Sequence, residues 1–248
     1  MNLNQKTAIV TGGGRDIGLA CALRLGQLGA NVAINYHSSS KGAKSAVKSI
    51  AKDGGSAFCL QGDMTRESDA QTLVQATVKA YGGIDIVVHV TGGLIARKTL
   101  SEMDTEHWNS VMNLNATSFL HIARASLVHM NGEGSIIPIA SQAARDGGGP
   151  GAIAYAAAKG AVLSMTRGMA KELGPGIRVN SVCPGMIDTD FHNVFTQDEV
   201  RKKVASATPL KREGTPDEVA NLVCFLASDE ASFMTGGNLD INGGLLFS

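Results

Sequence analysis

Tyr155 and Lys159 are four residues apart in the segment YAAAK, a spacing that suits acid–base chemistry. A tyrosine hydroxyl has a pKa of about 10 in water, which is too high for ready proton exchange at neutral pH. On a helix the two side chains share a face, so the ammonium group of Lys159 would lower the pKa of Tyr155. An isolated YxxxK pair is more often an ordinary surface pair. The prediction therefore depends on Ser141, at the end of a predicted strand, and on Asn115, on an earlier long helix.

A glycine-rich turn near the N-terminus could hold phosphate groups. The apolar run Thr7–Val10 leads through Thr11 into Gly12–Gly18 (GGGRDIG), and a predicted helix follows. At such a junction backbone N–H groups and the helix dipole attract anions, and glycine lets the backbone approach a pyrophosphate. The turn predicts a dinucleotide site. Its expected contacts are Gly12, Arg15, Asp16, Ile17 and Gly18.

The end of the second predicted strand indicates the preferred cofactor. An NAD site usually has an acidic residue about 20 residues beyond the glycine turn, where it binds ribose hydroxyls. Here the chain reads Asn35–Lys41 (NYHSSSK), without an acid. Arg15 could bind a 2′-phosphate, helped by His37, Ser38 and Ser39. We therefore predict NADP(H) as the preferred cofactor and NAD(H) as a possible one; the alternative is that Arg15 is a solvated surface charge.

Short β-branched runs alternate with longer helical patterns along the whole chain. The runs are apolar on both faces, which is typical of strands buried in a parallel sheet. The predicted strands are Thr7–Val10, Val32–Asn35, Ala57–Leu60, Ile84–His89, Ser135–Ile139, Arg178–Val182 and Leu239–Ile241. The predicted helices are Ile17–Leu28, Lys41–Lys52, Glu67–Ala80, Asp104–Met130, Ala154–Leu173 and Pro216–Ala227.

Strand–helix alternation places right-handed crossovers on one sheet and helices on both of its faces. No repeat, low-complexity tract or linker-like change in composition divides the chain. We therefore predict an α/β fold of the Rossmann type, doubly wound around about seven parallel strands, as a single domain over residues 1–248.

Length, charge and cysteine content exclude several classes of protein. The chain has 248 residues, and 22 Lys plus Arg balance 22 Asp plus Glu. A neutral chain has no overall attraction to nucleic acid or to an anionic membrane. No apolar stretch approaches roughly 18 residues, and the N-terminus lacks the features of a signal peptide. The cysteines are far apart and without a CxxC pair, which argues against a metal site. We expect a cytoplasmic protein without metal, nucleic-acid or membrane partners.

In order and spacing, these segments resemble the classical short-chain dehydrogenase/reductase family over essentially the whole chain. The resemblance implies an oxidoreductase that interconverts a carbonyl and a secondary alcohol by hydride transfer with a nicotinamide cofactor. It rests on Thr11–Gly18 (TGGGRDIG), Asp63, Asn115 in NLNAT, Ser141, Tyr155–Lys159, Asn180–Gly185 (NSVCPG) and Thr189.

The resemblance also implies a role for each member of a catalytic tetrad. Tyr155 is expected to transfer the proton to or from the substrate oxygen, and Ser141 to polarise that oxygen. Lys159 is expected to lower the pKa of Tyr155 and bind ribose hydroxyls, while Asn115 holds a water that connects Lys159 with solvent. Further expected contacts are Asp63 and Met64 at the adenine and, at the nicotinamide half, Thr91, Gly92, Pro184, Gly185, Ile187 and Thr189.

The chain departs from the family pattern at three places. Asp16 stands where the turn usually has glycine, and it would repel a pyrophosphate unless it starts the first helix or pairs with Arg15. His89 stands at the first asparagine of the usual NNAG motif, so we expect it to replace structural hydrogen bonds rather than to act in catalysis. Ala140 replaces a common serine just before Ser141.

The predicted substrate lid covers residues 186–212, after the sixth strand, where parallel sheets bind ligands. Gln142, Arg145 and His192 are candidate substrate contacts, and they favour a small polar keto compound such as a keto-sugar or sugar acid. Within the lid, we expect the basic run Arg201–Lys203 to be a solvated helix face.

Two other functions remain open. The sequence is also similar to 3-oxoacyl-[acyl-carrier-protein] reductases, although an acidic carrier protein would require a basic docking patch and the segment 127–133 is not basic. A catalytically silent dinucleotide-binding regulator would keep the cofactor site, but the intact tetrad argues against it. Because family members usually form tetramers or dimers, we expect a homotetramer or dimer that acts on a small carbonyl or alcohol.

Overall fold

Six parallel strands form the main sheet, in the order β3-β2-β1-β4-β5-β6. The computed structural model describes residues 1–247. β7 and β8 form an adjoining parallel pair. The central strand β1 is buried along its whole length, because TAIVT lies between the two helical layers. The strands are β1 Thr7–Thr11, β2 Asn31–Tyr36, β3 Ala57–Gln61, β4 Ile86–His89, β5 Gly134–Pro138, β6 Ile177–Val179, β7 Ser181–Pro184 and β8 Asn238–Ile241.

The number of strands differs slightly from the predicted seven, because residues 1–247 contain eight. The predicted strand Arg178–Val182 is interrupted at buried Asn180, which separates β6 from β7. The Asn180 side chain donates to the carbonyl oxygen of Met234 (2.7 Å) and accepts from the amide of Gly237 (3.0 Å). A bridge between Ile139 and Val182 keeps β7 beside the end of β5.

Two cores lie on opposite faces of the sheet, since successive residues of a strand point to opposite sides. Ala8 and Val10 pack with residues of α1, α2 and α10, while Ile9 packs with residues of α3, α5 and α7. The predicted single, doubly wound α/β domain is confirmed. The helices are α1 Asp16–Gln27, α2 Ser40–Lys52, α3 Glu67–Tyr81, α4 Thr105–Met112, α5 Ser118–Leu127, α6 Ala143–Asp146, α7 Ile153–Leu173, α8 Asp190–Phe195, α9 Asp198–Ala207 and α10 Pro216–Ala227.

The predicted long helix Asp104–Met130 is not regular. One π-helical turn, Asn113–Thr117, separates α4 from α5. Such a turn is uncommon and is frequent at functional sites. Here it holds Asn115, whose side chain is fully buried.

The lid region folds into α8 and α9, which lie within the predicted range of residues 186–212. Across residues 1–247, no helix has both the length and the apolar character needed to cross a membrane.

Candidate active site

One large cavity, of about 910 Å³, opens where the strands of the sheet end. The segments after β1, β2, β3, β4, β5 and β7 all contribute to its lining. This is the edge at which an open parallel sheet binds ligands. The predicted site residues line the cavity, with the exceptions of Asn115 and Arg145.

Tyr155 and Lys159 lie one turn apart on α7 and face the cavity. The Nζ atom of Lys159 is 5.8 Å from the centre of the Tyr155 ring and donates a hydrogen bond to the carbonyl oxygen of Ile139 (2.7 Å). Lys159 is only 3% exposed, and this burial lowers its pKa to about 8. The lysine therefore remains mostly charged at neutral pH.

The pKa of Tyr155 lies above its ordinary value, because burial raises it more than a hydrogen bond with Ser141 lowers it. The sequence predicted that Lys159 would lower the pKa of Tyr155, but the net shift is upward. Burial disfavours the phenolate, so Tyr155 holds its proton firmly. Ser141, which follows β5, also accepts a hydrogen bond from the amide of Ala143 (3.1 Å).

Asn115 does not line the cavity, but it holds in place the segment around Gly93, which does. Its Nδ2 donates to the carbonyl oxygens of Val111 (2.8 Å) and Gly93 (2.9 Å), and its Oδ1 accepts from the amide of Gly93 (3.0 Å). A Cβ at Gly92 would lie 2.7 Å from Asn115 Oδ1 and 2.9 Å from Lys159 Nζ. Any larger residue at position 92 would therefore have to displace the asparagine, the lysine or both.

The glycine turn brings the N-terminus of α1 against the end of β1. A Cβ at Gly18 would overlap the carbonyl oxygen of Gly12, so glycine is required for this approach. Asn35 at the end of β2 secures the turn: its Oδ1 accepts from Gly12 N (3.4 Å) and its Nδ2 donates to Gly62 O (3.0 Å). Sequence reasoning did not assign Asn35, although a polar residue within an apolar strand was a signal.

Asp16 adopts a left-handed backbone conformation, with φ of 49°, at the position where the family usually has glycine. Aspartate tolerates this conformation better than most residues. It is the first residue of α1, it pairs with Arg15 (3.1 Å), and its Oδ1 accepts from the amide of Asp190 in the lid (3.1 Å). Both predicted explanations of Asp16 are confirmed. Burial raises its pKa, which the Asp190 hydrogen bond and Arg15 oppose.

The predicted adenine end of the cavity has few charged side chains without a partner. The side chain of Arg15 is 52% exposed, and His37, Ser38 and Ser39 line the wall beside it. Burial alone would raise the pKa of Asp63, but hydrogen bonds from the hydroxyl and amide of Thr65 hold it below its usual value. The Asp63 carboxylate is thus ionised, and one of its oxygens is occupied by Thr65.

His89 is structural, as predicted. Its Nδ1 lies 3.0 Å from the hydroxyl of Thr11, and its Nε2 lies 3.1 Å from the hydroxyl of Ser118. Burial and the nearby charge of Lys159 lower its pKa to about 3, so the ring is neutral at physiological pH. The imidazole joins β1, β4 and α5 beneath the cavity.

Arg145 was predicted as a substrate contact, but it does not line the cavity. Its Nε lies 2.9 Å from Asp240 of β8 and its Nη2 donates to the carbonyl oxygen of Asn238 (2.6 Å), so the side chain points away from the cavity. Gln142 does line the cavity, but its amide nitrogen donates to Asp146 (2.8 Å).

The predicted substrate end of the cavity is more apolar than the sequence indicated. Phe191 of α8 lies against Tyr155, with ring centres 5.9 Å apart. His192 lines the cavity as predicted, and its Nδ1 lies 3.0 Å from the hydroxyl of Thr196. Further lining residues, which sequence reasoning missed, are Leu94, Ile95, Arg97, Met186, Thr196, Val200, Val204 and Leu245. With so few aromatic residues in the chain, Phe191 inside the lid was an available signal.

The run Arg201–Lys203 is not uniformly solvated. Arg201 is 14% exposed and forms ion pairs with Glu213 (2.5 Å) and Asp188 (2.6 Å), together with a hydrogen bond to Asn193 (2.5 Å). The prediction was wrong for this residue, because its charge is balanced by Asp188 and Glu213, which lie near the two ends of the predicted lid. Arg201 thereby fixes α9 to both ends of the lid.

The fold and the site are those of an oxidoreductase with a dinucleotide-binding Rossmann-type fold. A family model described as enoyl-(acyl carrier protein) reductase matches residues 12–246. The chain belongs to the short-chain dehydrogenase/reductase family.

Individual relatives cover nearly the whole chain. A short chain dehydrogenase/reductase of Aspergillus aculeatus is 38% identical over 96% of this chain and 95% of its own length. Glucose 1-dehydrogenase 2 of Bacillus subtilis is 35% identical over 98% and 96%, respectively. Among solved structures, a short chain dehydrogenase of Burkholderia cenocepacia in complex with NADP is 33% identical, with a TM-score of 0.92 over 99% of both chains.

Proposed function

We propose that the protein is an NADP(H)-preferring oxidoreductase that interconverts a carbonyl and a secondary alcohol. The observation that carries this proposal is the meeting of Ser141, Tyr155 and Lys159 in the cavity that also holds the glycine turn. Family membership supports the reaction class, and the names of the relatives include dehydrogenases and reductases.

The residues that line the cavity suit a nicotinamide dinucleotide. Gly12, Gly14 and Gly18 line it beside the N-terminus of α1, which has no side-chain cap. The first amide groups of α1 are therefore left for a pyrophosphate. Thr91, Gly92, Pro184, Gly185, Ile187 and Thr189 would border the nicotinamide half, Lys159 its ribose, and Asp63 and Met64 the adenine.

The preference for NADP(H) rests on charge at the end of β2. The wall formed by His37, Ser38 and Ser39 contains no carboxylate that would bind a free ribose diol or repel a phosphate. The exposed guanidinium of Arg15 can form paired hydrogen bonds with a 2′-phosphate. The NADP complex of the Burkholderia relative is consistent with this preference.

The bound cofactor supplies or accepts the hydride, and the chain handles the proton. Tyr155 holds a proton at its hydroxyl and gives it to the substrate oxygen in the direction of reduction. Ser141 donates a hydrogen bond to the same oxygen and stabilises the charge that develops there. Lys159 brings a positive charge close to Tyr155, and Asn115 fixes the segment that bears Gly92 beside that lysine.

The substrate proposal changes with the structure. A fully hydroxylated keto-sugar would need several polar partners, but Arg145 is withdrawn and Gln142 is bonded to Asp146. Phe191 and the aliphatic side chains around it favour a small carbonyl compound with an apolar body. His192 and Thr196 leave room for one polar group, so a polar keto compound remains part of the proposal.

The reductase of acyl-carrier-protein thioesters remains the second candidate. The description of the matching family model favours it, and an apolar cavity would suit an acyl chain. A silent dinucleotide-binding regulator is disfavoured by the arrangement of Ser141, Tyr155 and Lys159.

A turnover screen tests the proposal. The purified protein is mixed with NADPH or NADH and with ketones, keto-sugar acids and acetoacetyl thioesters, and loss of reduced cofactor is followed by absorbance. We expect reduction of a small ketone with NADPH and loss of turnover in Tyr155→Phe. The control Tyr81→Phe should keep full activity, because Tyr81 does not line the cavity and its hydroxyl accepts a hydrogen bond from Ser56. Cofactor binding without turnover of any compound would instead favour the regulator.

A further inference from the structure

Arg97 lies in the loop between β4 and α4, and it both lines the cavity and reaches solvent. Its Nε donates to the carbonyl oxygen of Phe195, at the end of lid helix α8 (3.0 Å). Its Nη1 donates to the carbonyl oxygen of Pro150, in the loop after α6 (2.9 Å). The guanidinium is thus held in place between the lid and the loop of residues 147–152, beside the substrate half of the cavity.

Both of these acceptors are neutral, and within residues 1–247 Arg97 forms no salt bridge. Other cations in this region are balanced: Lys98 pairs with Asp104 (2.6 Å), and Arg201 pairs with Asp188 and Glu213. A guanidinium has further N–H groups on both terminal nitrogens. Arg97 therefore offers a free positive charge and a pair of unused donors, in a fixed position.

The neighbouring groups define what this charge would meet. Burial, together with the positive charges of Arg201 and Arg97, lowers the pKa of His192 to about 4, so its imidazole is neutral. His192 and Thr196 can share hydrogen bonds but add no charge. Apolar side chains line the same cavity, and Phe191 lies against Tyr155, with ring centres 5.9 Å apart; the others include Leu94, Ile95, Val200 and Val204.

We propose that Arg97 determines substrate specificity by binding a carboxylate at the end of the substrate remote from the carbonyl. The preferred substrates are then small oxo acids, or the corresponding hydroxy acids, with an apolar segment between the two groups. This inference rests on the proposed function of the site. Arg97 is a binding residue here and takes no part in proton transfer.

A carboxylate suits this position better than a phosphate. Its two oxygens match the parallel N–H groups at the end of a guanidinium. A phosphate monoester carries a charge of about −1.5 to −2 at neutral pH, and would call for a second free cation. Lys98 and Arg201 are already occupied by carboxylates.

Matched substrates test the inference. Levulinate and ethyl levulinate share one ketone and differ in the carboxylate. With NADPH, we expect wild-type protein to prefer the acid, and Arg97→Ala to lower kcat/KM for the acid about 10- to 100-fold relative to the ester, since hydrogen bonds to charged groups contribute this much. For Arg97→Lys, the ratio of kcat/KM for the acid to that for the ester should lie between the ratios of wild type and Arg97→Ala. The control Lys98→Ala removes a neighbouring cation that is already paired, and the acid-to-ester ratio should stay unchanged.

Equal losses for acid and ester in Arg97→Ala would overturn the inference and leave Arg97 as a structural link between lid and loop. A wild-type protein without preference for the acid would also overturn it.

A binding measurement separates this inference from the proposed function. Hexanoate and hexanamide are titrated calorimetrically into the NADP⁺-loaded protein, which requires no turnover. Tighter binding of hexanoate, abolished in Arg97→Ala, supports the inference even if no ketone is reduced, a result that would count against the proposed function alone. Equal binding of the two compounds, or stronger Arg97-dependent binding of hexyl phosphate than of hexanoate, would overturn it.

Discussion

Replacing Gly92 by alanine tests whether the packing of Lys159 against Asn115 matters for activity. The new Cβ would lie 2.7 Å from Asn115 Oδ1 and 2.9 Å from Lys159 Nζ, whereas ordinary contacts begin at about 3.4 Å. The backbone at Gly92 does not have a positive φ, so alanine introduces no conformational strain there. The added methyl group must therefore displace one or both neighbours by about half an ångström.

The cost can be worked out from the contacts. Asn115 is held by three hydrogen bonds, each worth about 1 kcal/mol, so its displacement should cost about 1–3 kcal/mol of stability. In a chain of this size each kcal/mol lowers Tm by about 2–4 °C. A misplacement of about 1 Å in a catalytic site can cost about 100-fold in rate, so we expect kcat to fall about 10- to 100-fold.

The assay combines thermal unfolding with steady-state kinetics on any ketone that the wild-type protein reduces. Gly160→Ala is the matched control: it lies next to Lys159 on α7, and the nearest atom to its new Cβ is the oxygen of Ala144, at 3.9 Å. Alanine in a helix is more stable than glycine by about 1 kcal/mol, so the control should keep or raise Tm. If Gly92→Ala matches wild type in both Tm and kcat, the packing argument fails.

Three further predictions concern the cofactor, the sheet and the lid. Arg15→Ala should raise the Kd for NADPH about tenfold or more, by fluorescence titration, and change that for NADH little; equal losses would refute the 2′-phosphate assignment. Because the pKa of His89 is lowered to about 3 from an unfolded value near 6.5, the unfolded state binds the extra proton and stability falls as pH drops below about 6.5. Replacing it by the family's asparagine, His89→Asn, should remove about 2 kcal/mol of the stability difference between about pH 6.5 and 5 in urea titrations, and an unchanged difference would contradict this origin. Arg201→Met leaves Glu213 and Asp188 unpaired, so residues 186–212 should exchange amide hydrogens and be cleaved by trypsin faster than in wild type, whereas unchanged protection would show that the ion pairs do not hold the lid.

The arrangement of the sheet followed from the sequence because local signals agreed with each other. Buried strands such as TAIVT are apolar on both faces, and Gly12–Gly18 marks the end of β1 without ambiguity. The interruption at Asn180 could not be predicted in this way. It depends on main-chain partners at Met234 and Gly237, more than fifty residues away in sequence.

The cofactor end of the site was predictable for a topological reason. Residues that follow parallel strands meet at one edge of the sheet, so segments that are far apart in sequence are brought together by strand order alone. No such rule predicts in which direction the side chains of the substrate half point. Arg145 turns toward Asp240, and Arg97 turns into the cavity, because of partners on β8 and in the lid that no local pattern reveals.

The π turn at Asn113–Thr117 has a consequence for how related sequences are compared. A π turn contains one residue more than an α turn, so it behaves as a single-residue insertion into a helix. Removing one residue from this turn would turn it into an ordinary α turn, so Phe119 and Ile122 of α5 would stay on the core face on which they are buried. Alignment gaps of one residue are therefore expected in this turn, where a relative that lacks the extra residue would have a regular α-helix. When the apolar periodicity of this region is examined, residues 105–112 and 118–127 should be treated as two separate helices.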